Sequence, residues 1–124
     1  MATKIRAKLS KKNKYYISKH RYLELKHFCL QYPEWLNEYT KHVLPEKDST
    51  SEWAIARSEL KERMELVEQA AAKADKDLSI YIFQAVTEDK SYVNLKTFYG
   101  IPCGRDTFYD RYRRFFWELS KIRG

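Results

Sequence analysis

Side chains able to recognise another molecule are concentrated between Arg105 and Arg114. This segment combines arginines with carboxylates and hydroxyl groups, and its candidate contact residues are Arg105, Asp106, Thr107, Tyr109, Asp110, Arg113 and Arg114. In the major groove of DNA, arginine donates hydrogen bonds to guanine and a carboxylate accepts one from cytosine. Arginine also binds phosphate oxygens. The segment therefore has the chemistry needed to bind duplex DNA and to distinguish its bases.

A long helix that begins near Gly104 is predicted to present these residues to solvent. Its apolar residues follow one another at spacings of four, three, four and three, which at about 100° per residue places them on one buried stripe. The stripe consists of Phe108, Tyr112, Phe115, Leu119 and Ile122. The opposite face is predicted to hold Asp106, Asp110, Arg113 and Trp117, flanked by Tyr109 and Arg114. We expect Arg113, nearer the centre of this face, to meet a base edge and Arg114 to meet a phosphate.

A shorter helix and a tight turn are predicted before the long helix. Ser91 can cap the shorter helix, because its side-chain oxygen accepts a backbone hydrogen bond. The inward residues are predicted to be Leu95 and Phe98, with Val93 or Tyr99 beside them. Gly100 permits a left-handed backbone at the helix end, Pro102 prevents the helix from continuing, and Ile101 is expected to fill the gap between the helices. This order of elements is typical of a helix-turn-helix unit, and an ordinary amphipathic terminal helix is the alternative.

Positive charge is concentrated at both ends of the sequence, whose 124 residues have a net charge of +7. Residues 1–31 carry nine lysines and arginines against Glu24 alone, and residues 90–124 carry eight against three acids. Residues 32–89 carry seven basic and thirteen acidic residues. Clustered basic charge indicates a polyanionic partner, and duplex DNA is favoured over an anionic membrane because no lipidation motif or long apolar run accompanies the charge.

Residues 1–16 are predicted to form a flexible basic arm, because lysines and arginines are frequent there and apolar residues are sparse. Lys11, Lys12 and Lys14 are its candidate DNA contacts, through phosphate oxygens beside the main site. A solvated tail without a specific role is the alternative interpretation of the same composition.

The remainder of the chain predicts an all-α fold. An N-terminal helical hairpin is expected over residues 17–48, with Ser18 capping a helix from Lys19 to Gln31 and Pro33 opening a helix from Glu34 to His42. A long central helix over residues 49–75 follows. A C-terminal trihelical unit over residues 76–124 begins with a helix from Leu78 to Glu88, capped by Asp77, and contains the helix-turn-helix.

The central helix carries an apolar seam. Ser49 and Glu52 have the spacing of a capping box at its start. The seam residues, three or four apart, are Trp53, Ala56, Leu60, Met64, Val67, Ala71 and Ala74. Packing within the chain is the favoured interpretation, and a homodimer seam is the alternative.

Enzymatic and metal-binding functions are not supported by any complete motif. The three glycines form no phosphate-binding loop, and His20, His27 and Cys29 lack the spacing of a zinc site. Asp106 and Asp110 could hold a metal in a nuclease, but the neighbouring arginines explain them more simply as charge pairs. Cys29 and Cys103 are expected to be reduced thiols in a chain without a signal-peptide pattern, with a disulfide left open. We therefore expect a soluble, cytoplasmic, non-enzymatic protein without a cofactor.

One segment resembles a known group of regulators. The residues from Leu95 to Leu119 read LKTFYGIPCGRDTFYDRYRRFFWEL and resemble the C-terminal part of small phage and prophage proteins of Gram-positive bacteria. Those proteins are similar to the RinA and ArpU families of late-gene transcriptional regulators, whose DNA-binding part resembles sigma factor region four. The segments 58–70 and 85–88 are also similar to such proteins.

The resemblance implies a helix-turn-helix regulator of phage promoters in a bacterial host cell, with host RNA polymerase as a candidate partner. It places the recognition helix at about residues 104–122 and its DNA contacts between Arg105 and Arg114. A longer turn between Gly100 and Thr107 leaves the base-contacting register open. A phage DNA-packaging component similar to a small terminase subunit, and a protein-binding inhibitor of a host nucleic-acid enzyme, are the alternative functions.

Overall fold

The computed structural model describes residues 11–41 and 51–124, and these residues form an all-α protein. The helices are α1 (Lys19–Leu30), α2 (Tyr32–Lys41), α3 (Ser51–Ala74), α4 (Ser79–Glu88), α5 (Tyr92–Tyr99) and α6 (Arg105–Arg123). None of these helices combines the length and the apolar character needed to cross a bilayer. The first ten residues of the predicted arm and the predicted capping residue Ser49 lie outside the described residues.

The long helix α3 is the central element, since it packs along α6 and also against α2 and α4. Its buried side chains are mostly small and belong to the C-terminal half: Met64, Val67, Ala70, Ala71 and Ala74. Leu60 is half-buried against the same core. The C-terminal half of the predicted seam is therefore packed within the chain. Towards the start of the helix, by contrast, Ala56 is exposed and the Ile55 side chain is 56% exposed.

Helix α6 supplies half of the buried aromatic side chains among the described residues. The predicted stripe is confirmed, because Phe108, Tyr112, Phe115 and Leu119 are buried and Ile122 packs against them. The buried face is wider than predicted, since Tyr109 and Phe116 are buried as well. Neighbouring rings meet edge to face, an arrangement that adds to the stabilisation from burial alone.

Helix α1, near the start of the described residues, packs against α6, the last helix. Ser18 caps α1 as predicted, since the Ser18 hydroxyl accepts a hydrogen bond from the Arg21 N–H. The Arg21 guanidinium donates to the side chain and the carbonyl of Ser120, both at 3.0 Å. Inside the core, the hydroxyls of Tyr22 and Tyr112 lie 3.1 Å apart, and burial raises the pKa of both phenols. Helix α1 is thereby fixed to α6 at both Tyr112 and Ser120.

The start of α4 differs from the prediction that Asp77 caps it. The helix begins at Ser79 with Leu78 at its N-cap position and no side-chain cap, and Asp75 stabilises the turn that precedes the helix. Asp75 Oδ1 accepts hydrogen bonds from the backbone N–H groups of Asp77 and Leu78, while Oδ2 accepts from Arg111 Nε at 2.8 Å. Burial raises the pKa of this carboxyl, but these hydrogen bonds outweigh burial and hold the pKa below its usual value.

The packing of α3 makes a prediction about stability. Val67→Asp should cost more than about 3 kcal/mol of unfolding free energy, because the carboxylate would be buried without a partner where the wild-type side chain is 0% exposed. Ile55→Asp on the same helix is the matched control and should change stability by less than about 0.5 kcal/mol. Urea denaturation followed by circular dichroism measures both. A Val67→Asp variant that stays stably folded and sediments as a smaller species than wild type would mean that this seam joins two chains.

Asp75 makes a prediction about pH. Its pKa is lower in the folded than in the unfolded state, so its stabilisation is present above the unfolded pKa of about 4 and disappears as pH falls through the folded pKa. Asp75→Asn should therefore lower the unfolding free energy at pH 7 by about 1–2 kcal/mol. The difference from wild type should shrink markedly by pH 3 in urea titrations at both pH values. An equal difference at both pH values would contradict an ionic role for Asp75.

Candidate nucleic-acid interface

The first turn of α6 projects three of the predicted contact residues into solvent. Gly104 precedes the helix, and Arg105, Asp106 and Thr107 are all exposed. The Arg105 guanidinium lies 5.4 Å from the centre of the Tyr92 ring, close enough for a cation–π contact that orients it. Backbone N–H groups in the first turn of a helix have no intrahelical acceptor, so this end also suits an anion such as phosphate.

The turn that positions this end agrees with the prediction. Ser91 caps α5 by accepting a hydrogen bond from the Asn94 N–H at 3.2 Å. Gly100 adopts the left-handed conformation with φ 63°, and the N–H of buried Ile101 donates to the Leu95 carbonyl. The Tyr92 hydroxyl donates to the Cys103 carbonyl at 2.7 Å, which ties the turn back to α5. The start of α6 is therefore held by several independent contacts.

The outer surface of α5 differs from the prediction. Phe98, which we expected to face inward, is 72% exposed, and Val93 and Tyr99 are exposed as well. Tyr92 and Leu95 occupy the inward positions. Exposed apolar side chains therefore lie beside the turn. The exposed Lys96 donates a hydrogen bond from its Nζ to the Ile101 carbonyl at 3.5 Å.

Tyr109 does not lie on the outward face of α6, so that prediction is wrong. Its side chain is 3% exposed, and its ring packs against Phe108 and Tyr112. Its hydroxyl accepts a hydrogen bond from the backbone N–H of Tyr92 at 3.4 Å. Tyr109 thus positions the start of α5 against α6 and offers no ring surface to a base.

Asp110 lies on the outward side of α6 but is half-buried and already paired. Its carboxylate forms a close ion pair with Arg111, which also binds Asp75. Arg111 was not among the predicted functional residues, because its partner Asp75 lies 36 residues away in the chain. The Asp75–Arg111–Asp110 group links the connection between α3 and α4 to α6. It leaves Asp110 less available as a hydrogen-bond acceptor than the exposed Asp106.

Arg113 and Arg114 are both half-buried, so the structure does not place Arg113 nearer the centre of the outward face than Arg114. Arg113 is half-buried between Tyr109 and Phe116, which are buried one turn before and after it, so it borders the core. The Nε atoms of Arg113 and Arg114 are both buried without a hydrogen-bond acceptor among the described residues. Arg114 borders the buried Glu118, whose carboxylate lies 3.5 Å from the Arg114 Nε.

A second group of basic residues surrounds Trp117, farther along the same side of α6. The Tyr15 ring packs on the Trp117 ring with centroids 5.4 Å apart. Lys14 and Arg114 lie 5.0 Å and 6.0 Å from the Tyr15 ring, and Lys121 lies 3.7 Å from the Trp117 ring. On the segment that leads into Tyr15, Lys11 and Lys12 are exposed. The structure thus brings the end of the predicted arm to α6, a long-range contact that local periodicity in the sequence cannot reveal.

Potential metal ligands are not brought together in residues 11–41 and 51–124. No group of three or more histidine, cysteine or carboxylate side chains in these ranges could hold a metal ion. His20 and His27 are not buried in the core. Both cysteines are free, and burial raises the pKa of the Cys29 thiol, which opposes formation of the reactive thiolate.

Comparison with known proteins identifies no similar protein. No protein-family model matches the chain, and no curated protein and no solved structure shows significant similarity to it.

The buried hydroxyl of Tyr109 leads to a prediction about stability, because we assign it a role in holding α5 and none in DNA recognition. Tyr109→Phe should cost about 1 kcal/mol of unfolding free energy, because the buried N–H of Tyr92 would be left without its acceptor while the ring stays in place. Tyr99→Phe, at an exposed position on α5, is the matched control and should be close to neutral. Urea denaturation compares the two variants. Equal stability in both would show that the Tyr109 hydroxyl does not hold α5.

Proposed function

We propose that this protein is a sequence-specific duplex-DNA-binding regulator of transcription. In this proposal α5, the turn at Gly100 and α6 act as a helix-turn-helix, and the first turn of α6 enters the major groove. The observation that carries the proposal is the exposure of Arg105, Asp106 and Thr107 at the start of a helix whose opposite face is buried. Arginine and carboxylate at such a position suit guanine and cytosine respectively.

The contacts along α6 limit which residues read the bases. Tyr109 is buried, Asp110 is paired with Arg111, and Arg113 borders the core. Base recognition is therefore assigned to residues 105–107, and Arg114 and the lysines beside Tyr15 are assigned to phosphates. Control of phage or prophage genes, with host RNA polymerase as a protein partner, is the setting that the resemblance of residues 95–119 favours.

A protein-binding role, such as inhibition of a host nucleic-acid enzyme, is the second candidate function. The exposed and adjacent side chains of Phe98 and Tyr99 support it, because clustered apolar surface is common at protein interfaces. Lys96 on the same helix would favour an acidic partner. The same surface lies beside the proposed recognition helix, so a protein bound there would compete with DNA.

The proposed function predicts that Arg105→Ala weakens binding to the preferred site by about 1–3 kcal/mol and relaxes preference at one base pair. Lys61→Ala, which removes an exposed cation from α3, is the control and should leave both properties unchanged. The measurement is selection of bound sites from a random duplex pool, followed by titration of the selected duplex.

Two results would contradict this assignment. If Arg105→Ala selects the same site with the same affinity, the first turn of α6 does not read bases. If the wild-type protein selects no duplex at all, the protein-binding role becomes the better account.

A further inference from the structure

We infer that Tyr15, by packing on Trp117, positions Lys11, Lys12 and Lys14 as a second DNA contact, on the phosphates beside the groove that α6 enters. The inference rests on the proposed function and adds two positioning residues to it. Neither Tyr15 nor Trp117 is required to touch DNA. Their role is to hold a basic segment where its charge meets the duplex.

The contact between the two rings joins parts of the chain that are far apart in sequence. The ring planes are tilted by 59° with centroids 5.4 Å apart, and both side chains are half-buried. Lys121 lies 3.7 Å from the Trp117 ring, and Arg114 lies 6.0 Å from the Tyr15 ring. The Tyr15–Trp117 and Tyr15–Arg114 contacts are each modest, but together they hold the segment on α6.

The backbone before Tyr15 forms a hydrogen-bonded turn, which keeps the lysines close to the ring contact. The Asn13 side chain accepts a hydrogen bond from the Tyr15 N–H at 2.8 Å, and its carbonyl accepts one from the Tyr16 N–H at 3.0 Å. Lys14 lies inside this turn, with its Nζ 5.0 Å from the Tyr15 ring. Holding charged groups in place before binding reduces the entropic cost of association, so the packed segment should bind phosphate more tightly than a free tail.

The charge of this region suits a polyanion. Glu118 is buried beneath it, 3.5 Å from Arg114 and 3.2 Å from Lys121, and its single negative charge offsets only one of those two cations. The sequence from residue 11 to residue 23 contains no acidic residue, so the segment that carries Lys11, Lys12 and Lys14 has a net positive charge. Phosphates of a duplex match such a row of cations better than a single anion does.

The distance along α6 between the two proposed contact regions is similar to the width of the major groove. Arg105 and Arg114 are nine residues apart, which corresponds to about 13 Å along the helix axis. The major groove is about 12 Å wide. With the first turn of α6 in the groove, we place the region around Arg114, Tyr15 and Lys14 on the phosphates at the groove edge, because it lies farther along the same helix.

The test uses the full chain and the duplex obtained by site selection, with affinity measured over a range of salt concentrations. Replacing Lys11, Lys12 and Lys14 by alanine should reduce the log–log salt slope by about 0.9 for each phosphate that these lysines neutralise in the wild-type complex. Tyr15→Ala removes no charge, yet it should reproduce most of that decrease, because the lysines would no longer be held. Tyr15→Phe keeps the ring and should retain the wild-type slope. All three variants should keep the wild-type base preference, and thermal melts should confirm that each is folded.

The alternative outcomes separate this inference from the proposed function. A normal slope in Tyr15→Ala, beside a reduced slope in the lysine variant, would show that the lysines act without the ring contact and would overturn the inference alone. A normal slope in the lysine variant would overturn it as well, with the proposed function intact. Failure of the wild-type protein to bind any duplex would overturn both.

Discussion

The packing of α3 against α6 is the constraint on which the rest of the structure depends. Helix α3 buries small side chains, among them Val67, Ala70 and Ala74, whereas α6 buries large rings. Small side chains on one helix leave room for large ones on the other, and interdigitation of this kind gives a closely packed core. Because α6 buries a wide face over several turns, its direction is fixed and only its first turn and one side remain exposed.

This packing determines which polar residues of α6 bond to other helices and which remain exposed to solvent. Arg111 is held by Asp75 and Asp110, and Ser120 is held by Arg21, so these groups join α6 to α4 and α1. Tyr109 accepts a hydrogen bond from α5 within the core. What remains accessible is the start of the helix and the region around Trp117. The proposed DNA interface is therefore smaller than the amphipathic pattern alone suggests, and it has two parts at different points along one helix.

Local chemistry explains which features could be predicted from the sequence. Ser18, Ser91 and Gly100 act on backbone groups within a few residues of themselves, so their roles follow from residue type and position. Phe98 was misplaced because α5 has about two turns, too few for spacing to fix which side is buried. Tyr109 was misplaced because aromatic residues occupy adjacent as well as spaced positions on α6, and a tyrosine suits either a surface or a core. The Tyr15–Trp117 and Arg21–Ser120 contacts join distant parts of the chain, which no local pattern specifies.

In the proposed complex, DNA meets both the first turn of α6 and the segment packed on Trp117. Titration of the isotopically labelled protein with its selected duplex, followed by amide chemical shifts, tests this placement directly, since amide shifts report every contacted part of the chain at once. We expect the largest shift changes at residues 105–107 and 11–15, with small changes in α2 and in the N-terminal half of α3. Changes confined to α2 and α3, with none at residues 105–107, would contradict this placement of the DNA.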